Sequence, residues 1–119
     1  MTEGLLVFVG GGTGAVLRWL VSISMTSPWG TLVVNLVGSA LLAALLHPRL
    51  GADTTVRLAL GTGLLGGFTT YSTFNTEVLA ALVAGDHARA ALIALGTLVG
   101  CLLAGAVGYA LAGWLTATS

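Results

Sequence analysis

Charged side chains are nearly absent from this sequence. Of its 119 residues, 7% are charged and 56% are hydrophobic, and lysine does not occur at all. A soluble domain carries about 25% charged residues, so this chain has too few to cover a surface that faces water. The composition therefore predicts an integral membrane protein in a lipid bilayer. The net charge of zero gives no indication of a nucleic acid partner.

The sequence also lacks the groups that an enzyme or a proton-coupled exporter needs. Cys101 is the single cysteine, so no intrachain disulfide can form. The sequence contains neither a metal-ligand cluster nor a nucleophile–base pair, and we predict no enzyme. A small multidrug antiporter of similar length needs a carboxylate early in its first membrane helix, to exchange protons for cationic drugs. Here Glu3 precedes the first apolar segment and no acid follows within it, which makes the antiporter the weaker alternative.

Four apolar segments follow one another along the chain. They cover about residues 4–24, 30–46, 58–84 and 90–115, and each is near the roughly 20 residues that a helix needs to cross a bilayer. Residues rich in turn formers connect them, at 26–29, 47–51 and 85–87. We predict a single domain over residues 1–119, an all-α integral membrane protein of four transmembrane helices.

The arginines give the predicted helices almost no preferred orientation. If the helices alternate in direction, Arg49 and Arg57 lie on one side of the membrane, and Arg18 and Arg89 lie on the other. Such a distribution provides no clear positive-inside signal. One explanation is a single, weakly determined orientation. The other is dual topology, in which two copies pair antiparallel and reproduce the symmetry of an inverted repeat.

Glycine is abundant, and much of it recurs at a spacing of four residues. The chain has 18 glycines, and small residues at this spacing let helices approach closely in lipid. The pattern predicts tightly packed helix contacts at Gly10 and Gly14, at Gly63 and Gly67, and along a ridge of Gly96, Gly100, Ala104 and Gly108.

The third segment contains a stretch that disfavours a continuous helix. Gly66 and Gly67 are followed closely by Thr69 and Thr70, all residues of modest or low helix propensity. We predict a helix break here, near the middle of the span, where irregular backbone is tolerated only if buried or lining a cavity. Freed carbonyls at such a break suit an alkali cation, while the amides of the second half-helix favour an anion.

The strongly polar side chains of Arg18, Asn35 and Glu77 lie inside the predicted spans, where such groups either pair or mark a pathway. Arg18 can snorkel and hold carbonyls at a helix end, or it can contact an ion. Asn35 can join helices or offer its NH2 group to an anion. Glu77 would repel an anion inside a pore, so we predict a structural or vestibule role for it.

Two aromatic side chains share one face after the predicted break. Tyr71 and Phe74 lie three residues apart, and either they pack a helix contact or their electropositive ring edges line a path for a small anion. In the fourth segment Ile93, Thr97 and Cys101 share a face at a spacing of four. Thr97 offers the one good hydroxyl there.

These features together resemble the Fluc (CrcB) family of fluoride channels, over nearly the whole chain. Residues 10–15 (GGGTGA) lead to Arg18-Trp19, and residues 30–38 read GTLVVNLVG. The most specific motif is GGFTTYSTF at residues 66–74, followed by Glu77.

The resemblance implies a function and an assembly. It implies a fluoride-selective channel that exports F− passively and so lowers fluoride toxicity, in the cell membrane of a prokaryote. It implies an antiparallel, dual-topology dimer with two pores, and a structural Na+ at the dimer centre. The carbonyls of Gly66 and Thr69 from both subunits would hold that ion. The implied fluoride pathway comprises Asn35, Tyr71, Ser72, Thr73, Phe74 and Thr97.

Two positions depart from the family's usual pattern. Tyr71 stands where the family usually has phenylalanine, and Ile93 begins the polar face of the fourth helix without a hydrogen-bond donor. Some relatives form channels from two non-identical subunits. A heterodimer with a paralogue is therefore the alternative to a homodimer.

Overall fold

The structure, a computed structural model, describes residues 2–118, and most of this part of the chain is helical. Its long helices are α1 (Thr2–Ser24), α2 (Trp29–Leu45), α4 (Tyr71–Val83) and α5 (His87–Ala117). Helix α3 (residues 54–68) consists of Thr54–Val56, a π-helical stretch Arg57–Leu65, and Gly66–Phe68. A 3-10 turn, Pro48–Leu50, lies between α2 and α3. No strand occurs in residues 2–118, and the predicted all-α fold is confirmed.

Helices α3 and α5 begin three to four residues before their apolar segments, and in both cases an aspartate explains the shift. Asp53 precedes α3, and its Oδ1 accepts a hydrogen bond of 2.8 Å from the amide of Val56. Asp86 precedes α5 and accepts in the same way from the amide of Arg89, at 3.0 Å. An aspartate at this position satisfies a backbone donor that the helix leaves open. The helices therefore extend beyond their apolar stretches.

The helices present apolar surface outwards. By length and composition α1 and α5 could each cross a membrane, whereas α2 is apolar but has only 17 residues. Large side chains such as Phe8, Leu92 and Leu102 are exposed on α1 and α5. A surface of this kind, in a chain with 7% charged residues, is one that lipid covers and water does not.

Glycines bring α1 and α3 into backbone contact, as the spacing predicts. A Cβ atom at Gly14 would strike the carbonyl of Leu64, and one at Gly67 would strike the carbonyl of Gly11. A side chain at either position would push the two helices apart. This contact fixes the end of α3, and with it the segment that follows, against α1.

The predicted small-residue ridge on α5 is only partly a helix contact. Gly108 packs on α2, where an added Cβ would meet the backbone of Ala40, and Gly100 lies against the side chain of Leu36. Nothing lies within 4 Å of a Cβ placed on Gly96. Gly96 is exposed, so the predicted packing at this position has no counterpart within the described part of the chain.

Candidate functional site

The chain is extended between α3 and α4. Thr69 has φ −79° and ψ 158°, and Thr70 has φ −149° and ψ 119°. The hydroxyl of Thr70 accepts a hydrogen bond of 3.2 Å from the amide of Thr73 and so caps α4. Threonine is much better placed at a helix N-terminus than in a helix interior. The threonines therefore explain why α3 ends at Phe68 and α4 begins at Tyr71.

Asn35 of α2 holds this interruption with both ends of its amide group. Its Nδ2 donates to the carbonyl of Thr70 at 3.0 Å, and its Oδ1 accepts from the amide of Thr70 at 2.8 Å. Asn35 is 9% exposed and Thr70 is 7% exposed, so these bonds form away from solvent. Of the two roles open to Asn35 from sequence, joining helices is the one observed within a single chain. The second hydrogen of its NH2 group is left for another acceptor.

The same pairing frees a carbonyl at the end of α3. A continuing helix would direct the Thr70 amide to the carbonyl of Gly66, four residues earlier, but that amide goes to Asn35. The neighbouring carbonyl of Thr69 accepts one bond, from Nη1 of Arg18 at 3.2 Å, and a carbonyl oxygen has two lone pairs. Gly66 and Thr69 thus offer oxygens of the type that coordinates Na+ at an unwound helix. These carbonyl oxygens are therefore suitable ligands for the predicted Na+.

Arg18 reaches the interruption from α1. Its side chain is partly buried, and among residues 2–118 its one hydrogen bond goes to the carbonyl of Thr69. Holding a backbone carbonyl was one of its two predicted roles, and it is the one seen here. The segment is therefore held from two sides, by Asn35 of α2 and by Arg18 of α1.

Glu77 of α4 joins three parts of the chain. Its Oε1 accepts a hydrogen bond of 2.6 Å from Ser27, in the α1–α2 loop, and one of 2.8 Å from Thr31 of α2. Its Oε2 is buried and has no hydrogen-bond partner among the described residues. Sequence reasoning missed Ser27, because only the turn of the loop brings this hydroxyl to α4.

The aromatic pair lies on the open side of the interruption. The ring centroids of Tyr71 and Phe74 are 5.6 Å apart, with an angle of 56° between the ring planes. Tyr71 is 76% exposed. Both rings line a groove of about 550 Å³ that also contains Asn35, Thr97 and Cys101. We call this surface the aromatic groove.

Two further cavities continue from the aromatic groove towards the start of α5. A cavity of about 320 Å³, the connecting cavity, is lined by residues that include Trp29, Arg89, Ile93 and Thr97. A second cavity of about 530 Å³, the entrance cavity, contains Glu77 and shares Arg89 and Ile93 with the first. Thr97 lines both the connecting cavity and the aromatic groove. The three cavities therefore form a row.

Thr97 is the polar residue at the junction between the aromatic groove and the connecting cavity. It is buried, and its hydroxyl makes no hydrogen bond within residues 2–118, although a helix offers the carbonyl four residues earlier. Ile93 is also buried, and it lines the connecting cavity and the entrance cavity without a polar atom. The predicted polar face of the fourth helix thus contributes one free hydroxyl, at Thr97.

Ser72 and Thr73 are placed differently from the other predicted pathway residues. Their hydroxyls lie 3.3 and 3.1 Å from that of Thr70. Thr73 lines a separate cavity of about 270 Å³ together with Arg18 and Thr31. The structure thus brings four of the predicted pathway residues to one groove: Asn35, Tyr71, Phe74 and Thr97. Thr73 instead lines the cavity next to α1, and Ser72 lies in the first turn of α4.

Comparison with known proteins gives a consistent result over almost the full length. A family model described as CrcB-like protein, Camphor Resistance, matches residues 5–109. The fluoride-specific ion channel FluC of Pectobacterium carotovorum is 43% identical over 122 residues, which cover 94% of each chain. That of Anaeromyxobacter sp. strain K is 42% identical, over 97% of this chain and 98% of its own. The fluoride-specific ion channel FluC 1 of Halobacterium salinarum is 47% identical over 110 residues, 90% of this chain and 91% of its own.

Proposed function

The chain belongs to the CrcB-like family, and we propose that it is a fluoride-selective channel that lets F− leave the cell passively. The observation that carries this proposal is the row of three cavities that ends at Tyr71 and Phe74. The row combines a mouth lined by charged side chains, a free hydroxyl and a pair of tilted aromatic rings. It leads to the helix interruption, which offers further polar groups.

The chemistry of the aromatic groove suits a small anion. The edges of aromatic rings are electropositive, and the hydroxyl of Thr97 and the second amide hydrogen of Asn35 can each donate to F−. The N-terminal end of α4, with its partial positive charge, lies at the same groove. None of these groups carries a full charge, so the anion is attracted without being held tightly.

Passive conduction is sufficient for export. Fluoride enters cells as uncharged HF, ionises in the neutral cytoplasm and is then trapped as F−. A negative-inside potential drives an anion outwards by about 2.3 kcal/mol per 100 mV. A channel that selects F− therefore lowers cytoplasmic fluoride without a pump, in the cell membrane of a prokaryote that the chain crosses several times.

Two copies of the chain in antiparallel orientation would complete the pathway. Tyr71 is 76% exposed and the aromatic groove is open on one side, so a second copy is needed to enclose an anion. The two-against-two distribution of the arginines supports insertion in both directions. With the helix interruption at the membrane midplane, Gly66 and Thr69 of both copies would hold a Na+ that joins the subunits. Tyr71 and Ile93 leave a heterodimer with a paralogue as the alternative partner arrangement.

Growth of a bacterium that lacks its own fluoride exporter tests the function class. We expect this chain to restore growth in millimolar fluoride and to give no protection against ethidium, a cationic dye. Protection against ethidium but not against fluoride would instead indicate the multidrug antiporter. Absence of both effects, with the chain detected in the membrane, would contradict the channel unless coexpression with a paralogue restored growth in fluoride.

A further inference from the structure

We propose that Arg89 is the residue that draws fluoride from the entrance cavity into the connecting cavity. The proposal rests on the fluoride-channel function proposed above, and it assigns to one side chain the step that precedes contact with the aromatic rings. The guanidinium would raise the local concentration of anions at the point where the two cavities meet.

The distribution of charge along the row of cavities supports this role. The entrance cavity is lined by two carboxylates, Glu77 and Asp86, together with Arg89. The connecting cavity is lined by Arg89 and by no acid in the part of the chain that the structure describes. An anion that moves inwards therefore passes from a mouth of mixed charge to a cavity where the one charge is positive. Without Arg89 it would meet only the two carboxylates.

Arg89 keeps its charge available, because no carboxylate in the described part of the chain pairs with it. Oε1 of Glu77 is occupied by the hydroxyls of Ser27 and Thr31. Oδ1 of Asp86 accepts from the backbone amide of Arg89 and caps α5. The guanidinium itself makes no ion pair or hydrogen bond within residues 2–118.

The other three arginines differ from Arg89 in this respect. Each donates to a backbone carbonyl: Arg18 to Thr69 at 3.2 Å, Arg49 to Gly113 at 3.4 Å and Arg57 to Ala52 at 2.9 Å. Arg89 also lies in the first turn of α5, where the helix dipole disfavours a cation. The fold therefore gains little from a positive charge at this position, and its placement fits a role in conduction better than one in stability.

Fluoride conductance in planar bilayers of neutral lipid tests the proposal, with ionic strength set by the salt of a large impermeant anion. We expect Arg89→Gln to reduce conductance roughly three- to fivefold at low ionic strength, as for a unit charge that acts through water over a few ångströms. At about 1 M salt, where the Debye length is about 3 Å, the variant should approach the wild type. Arg89→Lys should stay near the wild type throughout.

Arg57→Gln provides the matched control, because it removes the same charge from an exposed position of α3 that lines none of the three cavities. It should conduct like the wild type at both ionic strengths. Elution of each variant at the wild-type volume in size-exclusion chromatography establishes that the protein is folded.

Three outcomes would overturn the proposal. An Arg89→Gln variant with unchanged conductance at low ionic strength would show that the charge does not recruit fluoride. An equal loss at low and high ionic strength would assign Arg89 to structure. A loss that appears only in bilayers with anionic lipid would assign Arg89 to a lipid phosphate. A wild-type chain without fluoride conductance would contradict the channel function itself. The three outcomes above differ from this one, because in each of them the wild-type chain conducts fluoride.

Discussion

The helix interruption and the aromatic groove are neighbours along the chain, yet they differ in how complete they are. The backbone of Thr70 finds both of its hydrogen-bond partners in Asn35 of the same chain, whereas the ring of Tyr71, one residue later, is 76% exposed. The interruption is thus a property of the single fold. The groove is a half-site, and its function depends on what covers it. Substitutions in the two regions should therefore separate loss of folding from loss of conduction.

The largest effect is expected at Asn35, on the complete side of this comparison. Asn35→Leu keeps the size of the side chain but leaves the buried amide and carbonyl of Thr70 without partners. Each unpaired buried group costs about 1–3 kcal/mol, so we expect the thermal unfolding midpoint in detergent to fall markedly and fluoride efflux to disappear. Asn75→Leu, at an exposed position of α4, is the matched control. Equal stability of the two variants would contradict the role of Asn35 as the clamp.

A substitution at Tyr71 should reduce fluoride conduction without reducing stability. Tyr71→Ile removes an exposed ring whose hydroxyl makes no hydrogen bond within the described residues, so the unfolding midpoint should hardly change. Fluoride efflux from liposomes should fall about tenfold, because the electropositive ring edge is lost. Tyr71→Phe keeps the ring and should conduct like the wild type. A Tyr71→Ile variant that conducts normally would remove the aromatic groove from the pathway.

The second support of the interruption, Arg18, should contribute less than Asn35. Arg18→Met keeps most of the apolar side chain and removes the bond to the carbonyl of Thr69. A hydrogen bond from a charged donor contributes about 1.5–3 kcal/mol when buried, and partial exposure of Arg18 should reduce this to about 1 kcal/mol. Thermal unfolding in detergent measures the change. Arg57→Met, which removes an exposed hydrogen bond to the carbonyl of Ala52, should be closer to the wild type in stability. A larger loss of stability for Arg57→Met than for Arg18→Met would disprove the assignment.

The smallest effect is expected at Ser27. Ser27→Ala removes one of the two hydroxyls that donate to Oε1 of Glu77, while Thr31 keeps the other. The loss should be about 0.5–1 kcal/mol of stability and less than about twofold in fluoride efflux. Thr31→Val combined with Ser27→Ala leaves the carboxylate without either donor and should have a larger effect than the sum of the two single changes. Strict additivity would argue that the hydroxyls act independently of Glu77.

The helix order and the position of the interruption could be predicted from the sequence, because they depend on local properties. Apolar length predicts the helices, and the run of glycine and threonine at 66–70 disfavours a helix wherever it is placed. The close packing of α1 on α3 was also predictable, since the spacing of Gly10, Gly14, Gly63 and Gly67 places them on facing surfaces.

The partners of individual side chains could not be predicted in the same way. Sequence left Asn35 with two roles, because its bond to Thr70 joins residues 35 positions apart. The contact of Ser27 with Glu77 depends on the path of a loop, and no motif marks it. Gly96 belongs to a small-residue ridge in sequence but lines the connecting cavity, and nothing in the spacing marks which positions of the ridge pack within the chain.

Fluoride release from liposomes that contain only this purified chain tests the central claim most directly. The vesicles are loaded with KF, and valinomycin is added to let K+ leave, with KCl-loaded vesicles measured in parallel. The account predicts rapid release of fluoride and no release of chloride. Equal release of both anions, or no fluoride release from folded protein of dimer size, would contradict a fluoride-selective channel formed by two copies of this chain.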